Sequence, residues 1–91
     1  MHVEAARIEL FLPHSHSLKE KRALVKPIIE GSRLRYLAAV AEVEFQDKWQ
    51  RAAIGVAVVS ASPAHAGEVM RAVERFVWSF PEIDVVSIDD A

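Results

Sequence analysis

The chain predicts an α+β sandwich of order β-α-β-β-α-β, in which a four-stranded antiparallel sheet carries two helices on one face. Three observations lead there. A strand-like alternation opens the sequence, two runs rich in Val, Ile and Ala bracket a short charged connection in the middle, and each half holds one segment with helical spacing of apolar residues.

From Val3 to Leu12, Ala6, Ile8, Leu10 and Leu12 alternate with Arg7, Glu9 and Phe11, which is the period of a half-buried strand, and Pro13 ends the run. Ser17-Leu18-Lys19-Glu20 reads as a capping box: the serine hydroxyl takes a free backbone N–H, the glutamate reaches back to the cap residue, and a helix starts at Leu18. Leu18, Leu24, Val25, Ile28, Ile29 and Tyr36 form its apolar face. Pro27 and Gly31 lie inside it, and an interior proline costs roughly 3 kcal/mol, so a bend is expected between Ala23 and Pro27. Residues 36–45 and 51–60 read as strands paired antiparallel across a hairpin. Ser62-Pro63 starts a second helix with proline in its first turn, and Ala66, Val69, Met70, Val73, Phe76, Val77 and Phe80 share one side of it until Pro81. Ile83 to Ile88 supplies a last strand before an acidic tail. The order is that of the ferredoxin-like fold, over a single domain spanning 1–91. The third strand is apolar on both faces, so its second face is expected to be covered by a second copy or a partner protein; the plainer alternative is Gly55 and Ala57 tolerated at the surface.

Composition narrows the function classes. With no cysteine there is no disulfide framework, thiolate nucleophile or zinc finger, and a reducing cytoplasm is expected. The N-terminus lacks the basic start of a signal peptide, and no run of about 18 apolar residues occurs, so a soluble, unprocessed protein without a membrane span is expected. The net charge of −2 argues against generic nucleic-acid binding. Its distribution is uneven, because residues 14–35 hold six cationic side chains against two acids. Four of them, Lys19, Arg22, Lys26 and Arg33, form a narrow stripe opposite the apolar face of the first helix, which suits RNA phosphates or is simply a solvated face. Lys21 projects to the apolar side, where it is expected to snorkel or pair with an acid. Glu42 falls on the core face of the second strand and needs a partner such as Lys21 or Arg51.

Pro13-His14-Ser15-His16-Ser17 precedes a helix N-terminus, where an anion is favoured, yet two histidines without a third ligand are weak support for a metal. Acylphosphatases, which share this fold, place an anion-binding arginine in that loop, and residues 13–17 contain none. RNA-recognition motifs stack bases on aromatics of the central strands, and Arg51 to Ser60 has none. No catalytic residue, cofactor site or metal site is assigned. The remaining anomalies are two tryptophans in polar settings: Trp49, flanked by Gln50 and Arg51 in the hairpin, and Trp78, between arginines on the second helix. Each is expected to be a packing plug or an interface anchor, and Trp49, Gln50, Arg51 and Trp78 are the candidate interface residues.

The strand ending Leu-Pro, the Ser17-Leu18-Lys19-Glu20-Lys21-Arg22 helix start, Val40-Ala41-Glu42-Val43, and Gln46-Asp47 with Trp49-Gln50-Arg51-Ala52 together resemble the YlxP-like family of small bacterial proteins, a domain of unknown function (family 503). The resemblance covers nearly the whole chain. It implies a bacterial protein commonly encoded among genes for transcription and translation factors and a ribosome-maturation factor. The reading that follows is a non-enzymatic cytoplasmic interaction module, a ribosome- or RNA-associated accessory factor that is dimeric or partner-bound through apolar sheet surface, with a homodimer or protein partner ahead of ribosome or RNA. A homodimerising or purely protein-binding module and a small-anion-binding regulatory domain are the alternatives.

Overall fold

In the computed structural model, which describes residues 1–91, the order is β1 (His2–Phe11), α1 (Leu18–Tyr36), β2 (Ala39–Glu44), β3 (Arg51–Ser60), α2 (Pro63–Trp78) and β4 (Asp84–Asp90). The sheet runs β2-β3-β1-β4 with every neighbouring pair antiparallel. Its centre is the β1–β3 ladder, continuous from His2 opposite Ser60 to Phe11 opposite Arg51. Alternation sends Ala6, Ile8 and Leu10 of β1 and Ala52, Ile54, Val56 and Val58 of β3 into the core. There they meet Val25 and Ile28 of α1 and Ala66, Met70, Val73 and Val77 of α2. Both helices therefore cover one face, and the other is left outward. No helix is long and apolar enough to cross a membrane.

Two expectations are adjusted. The second strand begins at Ala39 rather than residue 36, because α1 keeps its helical bonding through Tyr36 and ends only when Leu37 turns left-handed (φ 54°), its N–H bonding to the Arg33 carbonyl. The last strand extends to Asp90, so the acidic tail is part of the sheet, with Asp89 opposite Arg7 and Asp90 opposite Ala6. A bulge lets this happen: the pairing steps from Ser87 opposite Glu9 to Val85 opposite Leu10, leaving Val86 as the extra residue. Pro27 and Ala23 are both exposed, the helical assignment of α1 runs through them for 19 residues, and the Ala23 carbonyl has no N–H donor at residue 27.

Gly31 has a specific cause. A Cβ there would lie 2.4 Å from Cζ of Phe76, so the close approach of α1 to α2 requires glycine. Phe76 is held in place by edge-on contacts with Tyr36 and Phe80 and by the Arg35 guanidinium 4.9 Å from its centroid.

Candidate functional site

The hairpin between β2 and β3 is organised by one side chain. Lys21, 1% exposed in the first turns of α1, donates through Nζ to the Glu42 carboxylate at 2.8 Å and to the Phe45 carbonyl at 2.7 Å. The Gln46 and Arg51 carbonyls lie at 3.4 and 3.3 Å from the same ammonium. A buried cation is tolerated only when its donors are satisfied, and this one gathers a counter-charge and three main-chain acceptors from a segment with few other internal bonds. Gln50 fastens the far end: its carbonyl accepts from the Leu12 N–H at 2.8 Å, and its side-chain amide donates to Pro13 and Ser15 carbonyls, both at 3.3 Å. The loop before α1 and the hairpin thus hold each other.

At the end of the outer face nearest this hairpin lies an ion network. Glu9 accepts from Arg51 at 2.7 Å and from Arg7 at 3.2 Å, and Arg7 also donates to Glu44 at 2.7 Å. The Phe45 ring packs against both guanidinium groups, 4.0 Å from Arg51 and 5.8 Å from Arg7. The hydrogen bond from Arg51, more than the one from Arg7, keeps the Glu9 carboxyl below the usual glutamate range, against the opposing pull of desolvation. Arg7 is raised, chiefly by its bond to Glu44. Both shifts favour the charged forms.

Beside the network, Trp49 is 55% exposed and lines an open cavity of about 570 Å³ with Phe11, Val86, Glu9 and Arg51. On β4 this face carries Asp84, Ser87 and Asp89, opposite Phe11, Glu9 and Arg7, and across β1, β3 and β2 beyond the network it is aliphatic. A shallow groove of about 610 Å³ crosses Ala5, Gly55 and Ala57, with Val43 as a wall; a Cβ on Gly55 would come within 3.0 Å of the Val43 side chain. Val3, Val43, Val59 and Val86 are each about half exposed or more.

The four cations of the α1 stripe do not stay together as a free set. Lys19, Arg22 and Lys26 are exposed, Lys26 lying 4.0 Å from Glu30, whereas Arg33 turns to the edge of the sheet and donates twice to the Val40 carbonyl, at 3.0 and 2.6 Å. Of the four interface candidates, Gln50 and Arg51 are committed to internal bonds. Trp49 is on the outer face, and Trp78, 60% exposed, is on the helical layer, so the two tryptophans do not share a surface. At the start of α1, Ser17 caps the Glu20 N–H at 3.0 Å, but the Glu20 carboxylate accepts from His16, one residue before the cap. No three His, Asp or Glu side chains are grouped to hold a metal ion.

Phe45 was missed from sequence, because its role depends on a left-handed backbone (φ 63°) that places the ring between two arginines of other strands. Phe11, by contrast, was readable as outward from strand alternation alone.

Four antiparallel strands in the order 2-3-1-4 under two helices define a ferredoxin-like α+β protein. A solved structure of a de novo designed protein with ferredoxin fold, LFR1 1, is similar over 99% of this chain and 85% of its own, with a TM-score of 0.58 and 11% identity, a likeness of fold alone. The chain itself belongs to the DUF503 family of proteins of unknown function, whose sequence profile matches residues 3–90. It is 37% identical over 79 residues to the uncharacterized protein YlxP of Bacillus subtilis (strain 168), covering 87% of this chain and 86% of that protein.

Proposed function

We propose that this protein is a non-enzymatic interaction module of the cytoplasm and that the outer face of its sheet is the docking surface, with a second copy of the chain or another protein as occupant. The observation that carries this reading is the outward row of half-exposed valines over a floor of Gly55 and Ala57, on a face whose opposite side is fully packed. Ten-residue central strands and a four-strand width give this face roughly 500 Å² in projection. With side-chain relief added, that approaches the about 800 Å² per partner of a standard interface. Glu9, Glu44, Arg7 and Arg51 pair with one another on this face, which leaves Asp84 and Asp89 of β4 as its unpaired charge. A chain without cysteine fits a reducing compartment. The closed ion pairs, with Glu9 pushed away from the range of a general base, favour binding over catalysis.

Light scattering coupled to size exclusion tests this. The wild type is expected at dimer mass or in complex with a co-purified protein, and Val59→Glu, which changes an exposed residue, at monomer mass with an unaltered far-UV circular dichroism spectrum. A wild-type monomer that retains no partner sinks the reading.

A ribosome- or RNA-associated role is the second reading, favoured by the joint exposure of Lys19, Arg22 and Lys26 along α1. It requires salt-sensitive co-sedimentation with ribosomal subunits that Arg22→Glu with Lys26→Glu abolishes. The small-anion alternative has weaker support, since Glu20 already serves the start of α1.

A further inference from the structure

A second groove runs between α1 and the free edge of β2, on the side of the sheet away from the valine face. Its volume is about 280 Å³; Val25 and Ile29 contribute its apolar lining, and Arg22, Lys26, Arg33, Glu30 and Glu42 its charged walls. β2 is an edge strand, so main-chain groups on its far side lack a neighbouring strand. At Val40 the carbonyl is instead occupied by the Arg33 guanidinium, which supplies N–H donors where an added strand would supply its own. Arg33 also borders the outer-face groove, so this one side chain closes the edge between the two.

The charges in the groove are unequal. Glu42 is neutralised by buried Lys21, and Glu30 faces Lys26 at 4.0 Å. Arg22 has no carboxylate partner, and Arg33 has only a neutral carbonyl. Arg22 is therefore free for the bidentate recognition of carboxylates at which arginine excels, and Arg33 joins it only by giving up the Val40 carbonyl.

We propose that this groove binds an extended acidic peptide, added to the sheet as a strand beside β2. Its N–H groups take over the Val40 carbonyl; on its groove side an aliphatic residue enters over Val25 and Ile29 and a carboxylate meets Arg22, and a carboxylate on its other side takes the released Arg33. Such strand addition draws affinity from main-chain bonds and specificity from alternate side-chain pockets. A phosphodiester chain fits less well: it has nothing to place on Val25 and Ile29, meets Glu30, and carries no N–H for an edge carbonyl. The surface is separate from the valine face, and the inference does not depend on the docking role proposed for that face.

Fluorescence anisotropy with a labelled peptide of repeating Glu-Glu-Val-Val, which sets Glu and Val on each face of a strand, is the test, beside its Lys-Lys-Val-Val counterpart and a labelled oligouridylate. The acidic peptide is expected to bind saturably, the basic one not to bind, and Arg22→Glu with Lys26→Glu to weaken binding at least about tenfold. N-methylation of the peptide backbone on its strand-pairing side is expected to remove binding while leaving charge intact. Val59→Glu, which tests the outer face, is expected to leave the peptide affinity unchanged. Failure of the acidic peptide to bind, equal binding of the basic one, insensitivity to the charge reversal, or oligouridylate binding more tightly in the same groove each overturns the proposal.

Discussion

Glu9 lies 2.7 Å from one guanidinium and 3.2 Å from another, which hold its carboxyl below the usual glutamate range. A depressed folded-state pKa means the contribution to stability is complete above the unfolded value of about 4.3 and is lost as pH falls from there through the folded value. Glu9→Gln is accordingly expected to flatten the acid limb of a plot of thermal midpoint against pH below about 4.3, and an unchanged acid limb would contradict it. Arg7 is shifted the other way, and its contribution would fade only in strongly alkaline solution. At this scale the sequence was partly legible. Lys21 on an apolar helix side and Glu42 on a core strand face called for each other, and they meet at 2.8 Å. What could not be read was that Lys21 also collects carbonyls of Phe45, Gln46 and Arg51, because those acceptors are brought to it only by the path of the hairpin.

Helix α1 carries two residues that weaken helices, and they differ in kind. Pro27 is exposed, so replacing it removes little packing, restores a donor to the Ala23 carbonyl and relieves the local clash. Set against the unfolded-chain entropy that proline removes, Pro27→Ala is expected to raise stability by about 1–2 kcal/mol in urea unfolding. A loss of stability would show that the proline has a positional role instead. Gly31 gives the opposite outcome despite alanine's better helix propensity. Its added methyl would overlap a ring already fixed by Tyr36, Phe80 and Arg35, and such overpacking costs about 1–3 kcal/mol. Gly31→Ala is expected to lower the urea midpoint, and Phe76→Leu in that background to recover part of the loss. Sequence periodicity identified Gly31 only as an interruption, since the partner that demands it lies 45 positions further on.

For the molecule as a whole, strand alternation and two amphipathic helices were enough to read the fold, while the ends of β2 and β4 were not legible. The start of β2 was obscured because Leu37 stops α1 without the glycine that usually signals a helix end. The extent of β4 was hidden by the bulge at Val86, which shifts the face of every residue beyond it. The doubly apolar β3 did announce an unusual outer face, but the self-contained network around Glu9 that divides this face into charged and aliphatic halves depends on three strands at once. The Lys21 cluster also bears on how the chain folds in time. The β1–β3 ladder joins residues as far apart as His2 and Ser60, a distant closure that is expected to dominate the slow step. The ammonium finds its acceptors only after both the hairpin and α1 are docked on that ladder, which places it late along the folding path. Lys21→Met, leaving Glu42 and three carbonyls without their donor, is expected to cost about 2–3 kcal/mol. In stopped-flow chevrons nearly all of that loss should fall on the unfolding limb, accelerating it by roughly a hundredfold while refolding keeps its rate. This one buried lysine would then act as a clasp that governs how long the native state survives, more than how quickly it forms.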